Sequence, residues 1–60
     1  MISILIPVNN FDIVALVYSL KNALDKVPEF CEIIIGDDGS TNEFIEKYLS
    51  LTGGGVRFIV

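Results

Sequence analysis

The chain has no histidine and only one cysteine in 60 residues. A single cysteine cannot form a disulfide within the chain, and the common zinc sites need several cysteine and histidine ligands. We expect Cys31 to be a buried, reduced thiol. These absences exclude an internal disulfide and a zinc site of Cys and His ligands, the two features that stabilise many small domains. Burial of apolar side chains must therefore hold this fold together.

Positive charge is also scarce. The chain has 4 Lys and Arg residues against 8 Asp and Glu residues, which gives a formal net charge of −4. Proteins that bind DNA or RNA present clustered Lys and Arg to the phosphates, and this sequence has no such cluster. The composition therefore argues against a nucleic-acid partner and favours a small-molecule site.

Long apolar segments are missing as well. No apolar run approaches the roughly 20 residues that a membrane-spanning helix needs. The first residues also lack the basic segment and the small-residue cleavage site of a signal peptide. We expect a cytoplasmic protein, either free or peripheral at the inner face of the membrane.

What the chain does have is a high apolar content. Hydrophobic residues make up 52% and charged residues 20% of the sequence, and the mean hydropathy is +0.62. A domain this small hides only about 60% of the surface of its unfolded chain, so it should carry more polar residues. We therefore expect residues 1–60 to be a partial domain, covered by further parts of a longer protein or by copies of itself.

Three apolar segments alternate with two helical patterns. Ile2 to Val8, Phe30 to Ile35 and Val56 to Val60 have the composition of strands, and the first two are apolar enough to be covered on both faces. The helical stripes between them comprise Ile13, Leu16, Val17, Leu20, Leu24 and Val27, and then Phe44, Ile45, Tyr48, Leu49 and Leu51. This order predicts an α/β fold, the βαβαβ half of a doubly wound parallel sheet, whose open edges favour self-association.

Local signals predict the ends of these elements. Asn9 or Asn10 is expected to cap the first helix, and Ser40 with Glu43 forms a capping-box pattern before the second. The three glycines at 53–55 predict a turn, since glycine adopts positive φ without penalty. Tyr18 and Tyr48 lie at helical spacing from apolar residues, so both are expected to be partly buried.

Two aspartates end the second strand, where parallel α/β sheets place their ligands. Asp37 and Asp38 are adjacent and should point to opposite sides, so they are badly placed to bind one metal ion together. Phosphate is disfavoured because a carboxylate beside a helix N-terminus repels an anion. A fixed carboxylate accepts hydrogen bonds from a base or a ribose hydroxyl, which indicates a nucleoside. The alternative is that the aspartates only cap a helix or a turn.

Two motifs together resemble a known family. The residues ISILIPVNN at 2–10 and EIIIGDDGST at 32–41 look like the start of a family 2 glycosyltransferase, an enzyme with the GT-A fold. The resemblance covers nearly the whole chain. It implies an enzyme that transfers a sugar from a nucleotide-diphosphate sugar, with a divalent metal, Mg or Mn, whose ligands lie outside this chain. The catalytic base of such enzymes is likewise absent here, so the resemblance implies that these 60 residues alone are inactive.

The resemblance also assigns roles to residues of this chain. It implies that Pro7, Val8 and Asn9 line the nucleoside pocket and that Asp38 accepts a hydrogen bond from the base. The supporting residues that it implies for the loop are Asp37, Gly39 and Ser40. Asn9 stands where the family usually has an aromatic residue that stacks on the base, so Asn9 would contribute hydrogen bonding instead.

Two other classes of protein stay open. The first is a non-enzymatic βαβ module whose apolar faces serve assembly. The second is a fragment of a Rossmann-like dinucleotide-binding domain, in which an acidic residue after the second strand binds ribose. The lack of glycine between Pro7 and Phe11 argues against the latter, because the pyrophosphate needs a close approach to the backbone there.

Overall fold

A computed structural model describes all 60 residues, and its elements follow the predicted order. They are β1 (Ile2–Val8), α1 (Val14–Leu24), β2 (Cys31–Asp37), α2 (Asn42–Ser50) and β3 (Val56–Ile59). The three strands form one parallel sheet in the order β1-β2-β3. The α/β class, the βαβαβ order and the parallel pairing are thereby confirmed. Neither helix has the length and apolar character required to cross a membrane.

Both helices pack on the same face of this sheet. Each strand lies beside the previous one, and right-handed crossovers that step in one direction place their helices on one side. The buried core accordingly combines one face of the sheet with both helices. Its members are Ile6, Val8, Ile13, Val17, Ile33, Ile35, Tyr48 and Val56.

The opposite face of the sheet, here called the open face, has no helix over it. The strand register places eight residues there: Ser3, Leu5, Pro7, Glu32, Ile34, Gly36, Arg57 and Ile59. Leu5 is 61% exposed, so these 60 residues by themselves cover β1 on one face only, and the cover expected over its other face stays a prediction. The reason for the one-sided cover is topological, since both crossovers lie on the other side.

The predicted helix starts are also wrong. Helix α1 begins at Val14, whose amide donates to Asp12 Oδ1 over 3.0 Å, and neither Asn9 nor Asn10 caps it. Helix α2 begins after Thr41, and no side chain caps it, so the capping box that was predicted from Ser40 does not form. The side chains of Asn9, Asn10 and Ser40 make other hydrogen bonds, as described below.

Leu16 and Leu49 from the predicted apolar stripes are 48% and 51% exposed, and Tyr18, which was expected to be partly buried, is 64% exposed. A helix that packs on one face of a sheet buries only a narrow stripe, and these residues lie outside it. Phe30 precedes β2 and is 66% exposed, and Cys31 is half-buried rather than fully buried.

The three glycines form the predicted turn. Gly53, Gly54 and Gly55 have φ values of 109°, 55° and 92°. The turn is closed by paired backbone hydrogen bonds between Gly53 and Val56, at 3.0 and 3.1 Å. Side chains at these positions would be strained because this is the left-handed region.

Tyr48 ties α2 to the loop that follows β1. Its hydroxyl accepts from the Phe11 amide over 3.0 Å and donates to the Phe11 carbonyl over 2.7 Å. Its ring is 1% exposed and lies near Phe44 and Phe58, with centroid separations of 6.3 and 6.1 Å. One buried side chain therefore satisfies both backbone groups of a residue 37 positions away.

We expect Tyr48→Phe to lower the free energy of unfolding by about 1–2 kcal/mol. The substitution keeps the buried ring but leaves the Phe11 amide and carbonyl without their partner. Urea denaturation measures the change. Tyr18→Phe is the matched control because Tyr18 is exposed and makes no hydrogen bond, and equal losses in the two variants would contradict this role for Tyr48.

Candidate functional site

The loops after β1 and β2 meet at the carboxyl edge of the sheet, here called the rim. Val8 and Asp37 are register partners at the ends of these strands, so the two loops start side by side. The Asp38 amide donates to the Val8 carbonyl over 2.9 Å. The side-chain amide of Asn9 donates to the Asp38 carbonyl. Parallel pairing thus continues beyond the strands as contacts between the loops.

Asn10 joins the same two loops one step further along. Its amide donates to Ser40 Oγ over 2.9 Å, and its Oδ1 accepts from the Thr41 amide over 2.8 Å. Asn10 is the one residue other than glycine with positive φ, at 49°. Asparagine adopts this conformation more readily than most residues do. The asparagines predicted to cap α1 therefore hold the second loop instead.

Asp37 is engaged within its own loop. Both of its carboxylate oxygens lie 3.2 Å from the Ser40 amide. The chain turns between them at Gly39, whose φ is 79°. The half-buried Asp37 side chain thus supports the loop and has one backbone donor already bound to it.

Asp38 differs from Asp37 in that its backbone is bound and its carboxylate is free. Its backbone amide is bound by Val8 at the end of β1 and its carbonyl by Asn9 in the loop that follows, while its carboxylate is exposed and forms neither a hydrogen bond nor an ion pair. The side chain is free to accept hydrogen bonds from a ligand. Of the two aspartates, Asp38 is the one that can bind a partner without breaking an existing contact.

The structure separates the other residues that were predicted to line the site. The Val8 side chain is 4% exposed and belongs to the core, so only its carbonyl reaches the rim. Pro7 is exposed and pairs with Gly36, which places it on the open face. The residues that form the rim are Asn9, Asn10, Asp37, Asp38, Gly39 and Ser40.

Neither a metal site nor a deep pocket lies at the rim. No three side chains of His, Cys, Asp or Glu are close enough to hold a metal ion, and Asp37 is already engaged by the Ser40 amide. The resemblance places the ligands of its divalent metal outside this chain, so the metal that it implies stays a prediction. The one cavity, of about 290 Å³, lies at the other end of the sheet beside Lys21, Cys31 and Gly54.

No protein-family model matches this chain, and no curated protein or solved structure matches it either. The likeness to family 2 glycosyltransferases therefore stays a prediction. What bears on function is the rim itself, a shallow surface where two loops hold Asp38 by its backbone and leave its carboxylate free.

Sequence reasoning missed the roles of two residues: Asn10, which belongs to the rim, and Tyr48, which fixes the loop after β1 to α2. Asn10 was interpreted as a cap, although its residue type is also compatible with positive φ, and that signal was available. Tyr48 gave no local signal for its bonds to Phe11, because the partner lies 37 residues away. Its helical spacing predicted burial only.

We expect Asn10→Ala to lower the free energy of unfolding by about 2 kcal/mol. Alanine loses the acceptor for the Thr41 amide and disfavours positive φ. Asn10→Gly should lose about 1 kcal/mol, since glycine restores the backbone freedom but not the acceptor. In both variants the Thr41 amide should exchange its hydrogen faster. Asn22→Ala, a change at an exposed asparagine of α1, is the control, and unchanged exchange at Thr41 in Asn10→Ala would contradict the assignment.

Proposed function

We propose that the rim binds the nucleoside part of a nucleotide-diphosphate sugar, as the donor-binding segment of a glycosyltransferase. The observation that carries the proposal is the state of Asp38. Its backbone is fixed at both the amide and the carbonyl, while its carboxylate has no partner. A carboxylate held in this way accepts the N–H of a base or the hydroxyl of a ribose as a charge-assisted hydrogen bond.

Asn9 adds a second acceptor beside Asp38. Its side-chain nitrogen donates to the Asp38 carbonyl, so its Oδ1 stays available to a ligand. Two neighbouring acceptors favour a ligand that presents two donors, such as a base N–H together with another N–H or a hydroxyl. Nucleosides have donors of this kind.

The charge of the rim supports a nucleoside rather than its phosphates. Two carboxylates precede the N-terminus of α2, and no Lys or Arg side chain pairs with either. Negative charge beside a helix N-terminus cancels the attraction that this position has for phosphate. In this proposal the diphosphate and the sugar extend away from the rim toward groups that these residues do not supply.

Sugar transfer needs more than this rim. The acceptor hydroxyl must lose a proton to a base, and the leaving diphosphate needs a cation. Asp37 is occupied by the Ser40 amide, and the chain has no fitting metal site. The proposed role of these 60 residues is thus to bind and orient the nucleoside.

Titration of the labelled chain with uridine, and separately with uridine diphosphate and magnesium, tests the proposal by amide chemical shifts. We expect saturable shifts at Asn9 and Asp38, with a dissociation constant on the order of 1 mM because the rim is shallow. Uridine should give nearly the same shifts as the diphosphate, since the phosphates are not bound here.

The variant Asp38→Asn should weaken this binding about tenfold, because the charged acceptor becomes a neutral one. Asp25→Asn is the matched control: it removes the same charge from an exposed aspartate beside the cavity at the other end of the sheet. If the wild type shows no saturable shift at the rim, or if both variants bind equally well, the proposed function is wrong.

We also expect these 60 residues alone to transfer no sugar. Incubation with a uridine-diphosphate sugar, magnesium and a panel of sugar and lipid acceptors, followed by mass spectrometry, measures this. A glycosylated product above the level of a heat-denatured control would contradict the view that the rim only binds and orients.

A further inference from the structure

The cavity at the end of the sheet opposite the rim has both apolar and charged walls. Its volume of about 290 Å³ lies just below the range of roughly 300–1,000 Å³ that is typical for drug-sized ligands, so it fits a smaller molecule. The charged side chains that line it are Lys21, Asp25 and Glu29. Its apolar wall is formed by Leu24, Val27, Phe30, Cys31, Ile33 and Val56.

Lys21 is a cation without a partner in this cavity. Its side chain is half-buried and forms neither an ion pair nor a hydrogen bond. A Cβ built on Gly54 would lie 3.7 Å from Lys21 Nζ, so the ammonium group lies against the glycine turn. A charge that is partly withdrawn from water is unfavourable unless it is paired, and an anionic group of a ligand would pair it.

The glycine turn adds two hydrogen-bond donors beside Lys21. Gly54 and Gly55 both line the cavity. Their backbone amides donate no hydrogen bond within the chain, because the two bonds that close the turn join Gly53 and Val56. Two amides and one ammonium group are thus without acceptors around the same cavity. A carboxylate has two oxygens and about four acceptor sites, which match these donors.

Asp25 gives the cavity a free negative charge as well. It follows Lys21 by one helical turn, a spacing that separates Cβ atoms by about 5–6 Å. The two side chains nevertheless form no ion pair with each other. The C-terminal end of α1 adds partial negative charge at this position. The other carboxylate, that of Glu29, already lies 4.0 Å from the terminal amine of Met1.

We propose that the cavity binds a free α-amino acid with an apolar side chain. Its carboxylate binds Lys21 and the amides of Gly54 and Gly55, and its ammonium group binds Asp25. Its side chain lies on the apolar wall and covers Phe30, which is 66% exposed. An α-amino acid fits because one carbon carries both charged groups, so a single small molecule reaches two side chains one turn apart.

The charge of the chain favours this zwitterion over a simple anion. The net charge is −4, and two carboxylates line the cavity. A simple anion beside Lys21 would be repelled by both carboxylates, whereas the ammonium group of an amino acid is attracted to them. The site is separate from the rim and does not depend on nucleoside binding.

Titration of the labelled chain with L-leucine tests the proposal by amide chemical shifts. We expect saturable shifts at Cys31, Gly54 and Gly55, with a dissociation constant on the order of 1 mM because the cavity is small. The analogues 4-methylpentanoate, which lacks the amine, and 3-methylbutylamine, which lacks the carboxylate, should each bind about tenfold more weakly. Free glycine should also bind about tenfold more weakly, because it has no apolar side chain.

Variants assign each half of the ligand to its side chain. Lys21→Gln should weaken leucine binding about tenfold but should not weaken binding of 3-methylbutylamine. Asp25→Asn should weaken leucine binding about tenfold but should not weaken binding of 4-methylpentanoate. Lys26→Gln and Glu46→Gln are the matched controls, since they remove the same charges from exposed residues outside the cavity, and both should leave leucine binding unchanged.

Three outcomes would overturn the proposal. The first is the absence of saturable shifts at Gly54 and Gly55 with L-leucine. The second is equal binding of leucine and 4-methylpentanoate, because the cavity would then be a simple anion site. The third is leucine binding that Lys21→Gln and Asp25→Asn leave intact. Shifts at Asn9 and Asp38 with uridine report on the rim alone, so failure here is distinguishable from failure of nucleoside binding.

Discussion

The direction in which successive crossovers step decides most of this structure. Right-handed connections between neighbouring parallel strands, taken twice in the same direction, place both helices on one face of the sheet. The core follows from this, since only that face is shielded from water. The open face follows too: its leucine and isoleucine side chains are exposed, whereas helices on both faces of the sheet would bury them.

The rim is a second consequence of parallel pairing. Parallel neighbouring strands end at the same edge of the sheet, so the register itself brings the loops after Val8 and Asp37 together. Asn9 and Asn10 then bind the backbone of the second loop, and Tyr48 fixes the first loop to α2. Because the loops satisfy each other's backbone groups, the free hydrogen-bonding capacity concentrates on a few side-chain oxygens, above all those of Asp38.

The sequence predicted the features that depend on local composition. Apolar runs bounded by turn residues gave the order of the elements and the parallel sheet, and the three glycines gave the turn before β3. The predicted helix starts were wrong because serine and asparagine oxygens have several possible partners. Here these oxygens accept hydrogen bonds from amides of a loop adjacent in space instead of from the helix amides. Tyr18 and Tyr48 have the same residue type in similar helical patterns, yet one is 64% and the other 1% exposed.

For the candidate site, the sequence by itself determined that two carboxylates would end a strand at the edge where α/β sheets place ligands. Only the tertiary structure decided which carboxylate is free. Asp37 accepts a hydrogen bond from the Ser40 amide, and Asp38 is held by Val8 and by Asn9, which lies 29 positions away in the chain. Likewise, the sequence determined that β1 would be apolar, while the crossovers decided that one of its faces meets water. In both cases the deciding contacts join residues far apart in the chain, so they cannot be predicted from local composition.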